Sequence, residues 1–301
     1  MLLFAALLAS GWLIQRAKRG RAAVRDASQV ELVGCVPAGP ALLVTADLSE
    51  LGPEAAVDLL AAGGGALLGL RELCGFEPVL ALRRVAFATP YRDAQAQGAA
   101  DFAIIADTLL EQEPVLRCAE AVIKKRGGRP VRSRLGAFVS VRDQAKPLGE
   151  VAIRTDGLFV LSGGQYFRDV IDAAGGAATN DDAALLRSRV HAGIRGKLGP
   201  SQLALTLVPG ASWPLPGVQA LGLGLSIQSK LGLRGFVGCP TAAGCGEARA
   251  LIENMKTELA KDAAVSGLVS VRVEQHEAQL EISGTLPRNQ LGPLLTQLIS
   301  P

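Results

Sequence analysis

One order of elements occurs twice along the chain, and it restricts the fold more than any other feature. An apolar strand run, a β-hairpin, a helix and a further hairpin follow one another in each half. In the first half these are ALLVTADL at 41–48, the pair RRVAFATP at 83–90 and DFAIIADT at 101–108, a helix over 110–126, and EVAIR-TDG-LFVLSG. In the second they are QLALTLVP at 202–209, the pair VQALGLGLSI and LGLRGFVGC, a helix over 244–261, and SVRVEQHEAQLEISG at 270–284. Hairpins between apolar runs require antiparallel pairing, and strands that do not alternate with helices exclude a doubly wound sheet. The expectation is therefore an α+β fold, with antiparallel sheet and helices packed on one face, built as two related halves. The halves span 36–179 and 180–301.

The helices are legible from spacing and stop signals. Val115, Cys118, Ala119, Val122 and Ile123 form one stripe, and a basic last turn followed by Gly127-Gly128 ends it. Asn180 or Asp181 is placed to cap a helix over 181–195. A helix-like segment running to Leu70 follows the first strand and has no counterpart in the second half. Each half is expected to close on a short helix.

Residues 1–15 form a separate hydrophobic signal or anchor segment, and 16–35 a basic linker. Met1 to Ile14 carries no charge, and its helical length of roughly 20 Å is short against a ~30 Å hydrocarbon core. Membrane association through residues 1–15 is expected. Two orientations stay open: a signal anchor with the body in the periplasm, or a cytoplasmic body by the positive-inside rule. The formal charge of +3 comes from this linker, since the remaining 26 basic and 27 acidic side chains leave the body at −1. With aromatics at 4%, that body has neither the charge nor the stacking platform of a nucleic-acid binder.

The string Leu161-Ser162-Gly163-Gly164-Gln165 is identical to the LSGGQ signature of ABC transporter ATPases. That family also needs a GxxxxGK[ST] loop and a strand ending in Asp-Glu, and this chain has neither, so no nucleotide is expected. A Ser-Gly pair also follows a strand in the second half, at Ser283-Gly284, which makes the string a strand-to-helix turn. The amides of that turn are an anion site only in the sense that every helix start is one.

The run Lys124, Lys125, Arg126, Arg129, Arg132 and Arg134 is the best interaction patch on offer, with six cations and no acid. The plain reading beside it is a helix C-terminus complemented by cations, with Arg132 and Arg134 pointing to water. Of five cysteines, Cys239 and Cys245 are the candidate disulfide, because their loop is short; free, half-buried thiols are the alternative. A Cx5C pair alone lacks the ligands of a zinc site, and no metal or cofactor is expected. His191 and His276 read as solvated, Asp47, Asp101 and Asp107 as strand-end residues, and Trp213 as a loop aromatic. No serine sits in a GxSxG elbow or SxxK pair.

The segments VPAGPALLVTADLSEL, LCGFEPVLALRRVAFATP and DFAIIAD, behind an apolar N-terminus, resemble a loose group of uncharacterised membrane-anchored envelope proteins from GC-rich, myxobacteria-like bacteria. The resemblance implies an envelope address and no activity. The expected function is non-enzymatic binding of another envelope component, with an envelope protein as the partner. A lipid or small-ligand carrier is the alternative, and a hydrolase with spatially assembled carboxylates ranks third.

Overall fold

The computed structural model describes residues 31–49, 68–76, 81–91, 101–146, 149–164, 166–209, 217–227, 230–259, 261, 270–287 and 290. Residues 1–15, the linker up to residue 30, Gln165, Trp213 and the final helix of the second half lie outside them. A 3-10 turn at Leu32–Cys35 leads into β1 (Pro40–Asp47), α1 (Leu68–Cys74), β2 (Leu82–Pro90), β3 (Ala103–Thr108) and α2 (Gln112–Lys125). Two hairpins follow, β4 (Pro130–Leu135) with β5 (Phe138–Asp143) and β6 (Glu150–Arg154) with β7 (Leu158–Ser162), and then α3 (Tyr166–Ala174). The second half contains α4 (Asp182–Leu198), β8 (Leu203–Leu207), β9 (Ala220–Ile227), β10 (Leu231–Gly238), α5 (Ala242–Leu259), β11 (Arg272–His276) and β12 (Gln279–Leu286).

All twelve described strands join one sheet in the order β11-β12-β10-β9-β8-β1-β2-β3-β7-β6-β5-β4. Every pairing is antiparallel. The α+β class and the antiparallel sheet are thus those implied by the element order. The halves meet where β1 pairs with β8: Leu42 faces Leu207, Val44 faces Leu205 and Ala46 faces Leu203. In the alignment of ALLVTADL with QLALTLVP, Val44 and Leu205 are equivalent, so each equivalent pair is exchanged about this point. That is the self-complementary pairing of a two-fold contact. Outward from it, β12 lies beside β10 as β7 lies beside β3, and the β4–β5 hairpin has no counterpart among the described residues of the second half.

The helices divide between both faces, whereas the sequence reading placed them on one. On one face the 3-10 turn and α3 cover Leu43, Ala86, Ala88, Ala103, Ile105 and Val160, while α4 seats Ile194 and Leu198 on Ala204, Ala220 and Phe236. On the other, α2 buries Val115 and Leu116 against Val141 and Ile153, and α5 buries Cys245 and Ala248 against Val237 and Leu280. The physical reason is sheet parity: both sets of alternate strand residues are apolar, so each face needs cover. Equivalent elements keep equivalent faces, with α2 and α5 following β3 and β10 on one side, and the 3-10 turn and α4 preceding β1 and β8 on the other. Gly222 in β9 sets the distance of α4, since a Cβ there would overlap Ile194 and press on Leu198, while one at Gly224 would crowd Ser201 beyond the helix end.

At the middle of the face shared by α2 and α5, Leu42, Val44, Phe87, Ile104 and Leu205 are only half-buried. Phe87 and Phe102 stack there with centroids 6.4 Å apart. No described helix is long and apolar enough to cross a membrane.

Candidate functional site

The cation run assembles at one corner of the sheet. Lys124 and Lys125 occupy the last turn of α2, Arg126 caps it, and Arg129 precedes edge strand β4, which carries Arg132 and Arg134. The helix stops there because Gly127, at φ 76°, takes the left-handed conformation that ends it. Arg132 leaves the patch. Its guanidinium grips Glu113 on both carboxylate oxygens at 2.8 and 2.9 Å and also donates to Glu120 on the same helix. That bond to Arg132 holds the Glu113 carboxyl below its ordinary range. The fold also brings Asp143 of β5 beside the run, where its carboxylate accepts the Arg129 amide at 3.0 Å. Lys124, Lys125, Arg126, Arg129 and Arg134 are exposed and form no ion pair among the described residues.

The Ser162 turn is occupied by the chain itself. Ser162 Oγ donates to the Phe102 carbonyl at 2.7 Å, and the Gly163 amide donates to the same oxygen at 3.1 Å. Asp101 lies against Gly164 so closely that a Cβ there would overlap its carboxylate. An acidic side chain already stands at the head of α3, where a free anion would bind. In the second half, Ser283-Gly284 is not a turn: both residues lie within β12, paired with Arg234 and Leu233 of β10.

His191 is buried, not solvated, at 3% exposure. Its Nδ1 lies 2.7 Å from Thr206 Oγ1 and its Nε2 2.8 Å from the Pro40 carbonyl oxygen. Burial depresses its pKa. His276 is exposed beside Glu274, as expected of a hairpin end. Asp107 is also more than a strand end. An extra residue in β2, between Leu82 and Arg84, forms a bulge opposite β3, and both Arg83 and Arg84 reach Asp107, which is 1% exposed.

The structure joins Cys239 to Cys245, with Cα atoms 5.5 Å apart, from the end of β10 into α5. A second bridge that spacing did not nominate joins Cys74 of α1 to Cys118 of α2, with Cα atoms 4.7 Å apart. Cys35 is buried and unbridged, and burial raises its thiol pKa. Among the described residues no group of three or more His, Cys, Asp or Glu side chains could hold a metal ion.

A cavity of about 630 Å³ lies where the halves meet on the face of α3 and α4. Its walls come from the 3-10 turn and the residues after it, from Tyr166, Asp169 and Asp172 of α3, from Asp181 and Arg187 at the start of α4, and from Tyr91. Its residues come from three separate segments, at 33–39, 90–91 and 166–188, so no local pattern announces it.

No protein-family model matches this chain, and the search of curated proteins returns no match. Two solved structures of TP0453 are similar to it. Crystal form III aligns at a TM-score of 0.53 and 12% identity, covering 90% of this chain and 99% of that one. Crystal form I aligns at 0.52 and 12%, covering 90% and 98%. At that identity the likeness is one of fold: nearly all of this α+β architecture recurs in TP0453.

Proposed function

We propose that this chain is a non-enzymatic, membrane-tethered envelope protein that docks another envelope component, an acidic protein, at the basic corner of its sheet. The observation that carries the reading is the separation of the cation run into one structural arginine and five exposed cations. Arg132 ties β4 to α2, while Lys124, Lys125, Arg126, Arg129 and Arg134 stay free of ion pairs among the described residues. Rim charges of this kind steer association and set its salt dependence. The two disulfides support a body on the oxidising side of the membrane over the cytoplasmic alternative.

The test is photo-crosslinking from position 129 of the full-length protein in native membranes, with and without Lys124→Glu, Lys125→Glu and Arg126→Glu. A single protein adduct that disappears in the charge-reversed variant is the expected result. A lipid adduct, or a protein adduct indifferent to charge, overturns it. The carrier is the second reading, favoured by the half-buried apolar strip of Leu42, Val44, Phe87, Ile104 and Leu205. Co-purified lipid that survives the charge reversal favours it.

A further inference from the structure

The basic corner contains an open sheet edge. Strand β4 ends the sheet on that side, and no described strand pairs with its outer side. Its hairpin with β5 dictates which backbone groups face outward. Leu135 lies opposite Phe138 across the turn Gly136-Ala137, and the Gln144 amide donates to the Arg129 carbonyl at 2.9 Å. Hydrogen-bonded positions alternate along an antiparallel pair, so Val131, Ser133 and Leu135 direct their amides and carbonyls at β5, in phase with Arg129. Arg132 and Arg134 direct theirs to the open edge. Pro130 has no N–H, which leaves those two amides as the outward donors of the strand.

The side chains divide by the same parity. Arg132 reaches Glu113 and Glu120 of α2, so it stands on the α2 face, and Arg134 shares that face. Val131 and Leu135 lie half-buried on the other face. The free cations therefore bracket the edge, with Arg134 near one end and Lys124, Lys125, Arg126 and Arg129 at the other. Charge on an edge strand guards a sheet against self-association. Charge of one sign also selects, because a second copy of β4 would bring like cations together and an acidic strand would not.

We propose that the partner docks here by strand addition, as an extended segment of alternating acidic and apolar side chains that lies beside β4. Its backbone pairs with the outward amides and carbonyls of Arg132 and Arg134. Its carboxylates meet Arg134 and the cations at the end of α2, and its apolar side chains extend the face of Val131 and Leu135. Strand addition rests on the docking reading above and adds to it the partner's conformation and residue pattern.

The probe is a fluorescein-labelled peptide of alternating glutamate and valine, titrated by anisotropy into the full-length, detergent-solubilised chain and its Arg134→Gln and Arg134→Pro variants. Proline at 134 removes an outward N–H and no bond to β5, so both variants should keep the wild-type far-UV spectrum. Arg134→Gln should weaken binding about threefold through the lost charge, and Arg134→Pro about a further tenfold through the lost backbone bond. In wild type, bound peptide should slow hydrogen exchange of the Arg132 and Arg134 amides, a readout that needs no variant. Equal binding by the two variants, or exchange at those amides unchanged by peptide, overturns strand addition. Failure of the peptide to bind overturns it too, and the charge-sensitive adduct from position 129 then tells whether docking at the corner survives. A dimer of the peptide-free protein that Arg134→Pro abolishes overturns it by assigning the edge to a second copy.

Discussion

Two buried polar residues hold the centre of the molecule, and their chemistry differs. His191 links α4 to both central strands through Pro40 and Thr206, and it does so as the neutral imidazole. Its folded pKa is depressed below 6.5, so the unfolded chain binds the proton more readily. Its contribution is therefore present above about pH 6.5 and is lost as pH falls through and below that value. Urea unfolding between pH 8 and 5 should show that decline, and His191→Gln should flatten it while lowering stability at pH 7.5 by about 1–2 kcal/mol. Asp107 instead carries a charge in a nearly closed site between two arginines. Asp107→Asn keeps the shape but leaves two guanidiniums facing a neutral amide, and it should cost about 3 kcal/mol by denaturant unfolding. Neither role was legible from sequence. His191 sits on a helix of low amphipathicity among arginines, and Arg83 meets Asp107 only because a bulge adds a residue to β2.

Among the elements, the helices on the face of α2 and α5 each carry a bridge, and the loops they close differ in length. Cys74–Cys118 spans 44 residues and Cys239–Cys245 only 6. Loop-closure entropy in the unfolded chain then ranks them at about 4 and about 2 kcal/mol. Comparing Cys74→Ser, Cys118→Ser with Cys239→Ser, Cys245→Ser by chemical denaturation checks the order, and an equal loss would refute it. The short pair could be nominated from spacing because its ends are necessarily close. The long pair could not, since it depends on α1 lying against α2, which no local pattern encodes. The cation run has the same character. Its helix end and edge strand were readable, but Arg132 is withdrawn by Glu113 and Glu120 from the opposite side of a turn.

Across the whole molecule, one sheet runs through both halves, so neither half has a complete sheet. β1 and β8 supply each other's ladder, and α4 of the second half reaches back to Gly39, Pro40 and Thr45 of the first. A fragment of residues 180–301 would expose the β8 edge and leave His191 and Arg195 without those partners. It should fail to give the native far-UV spectrum alone and recover it when mixed with 31–179, and the intact chain should unfold in one transition. An independently folded fragment, seen by size exclusion and circular dichroism, would contradict this.

Element order, hairpin pairing and the antiparallel α+β class follow from the sequence, because alternation, turn residues and helix caps act within a few positions of one another. Tertiary structure decided the rest: which face each helix covers, which cations remain free, and the cavity between Tyr166 and Arg187. These depend on groups brought together from distant segments, and spacing along the chain carries no record of such meetings.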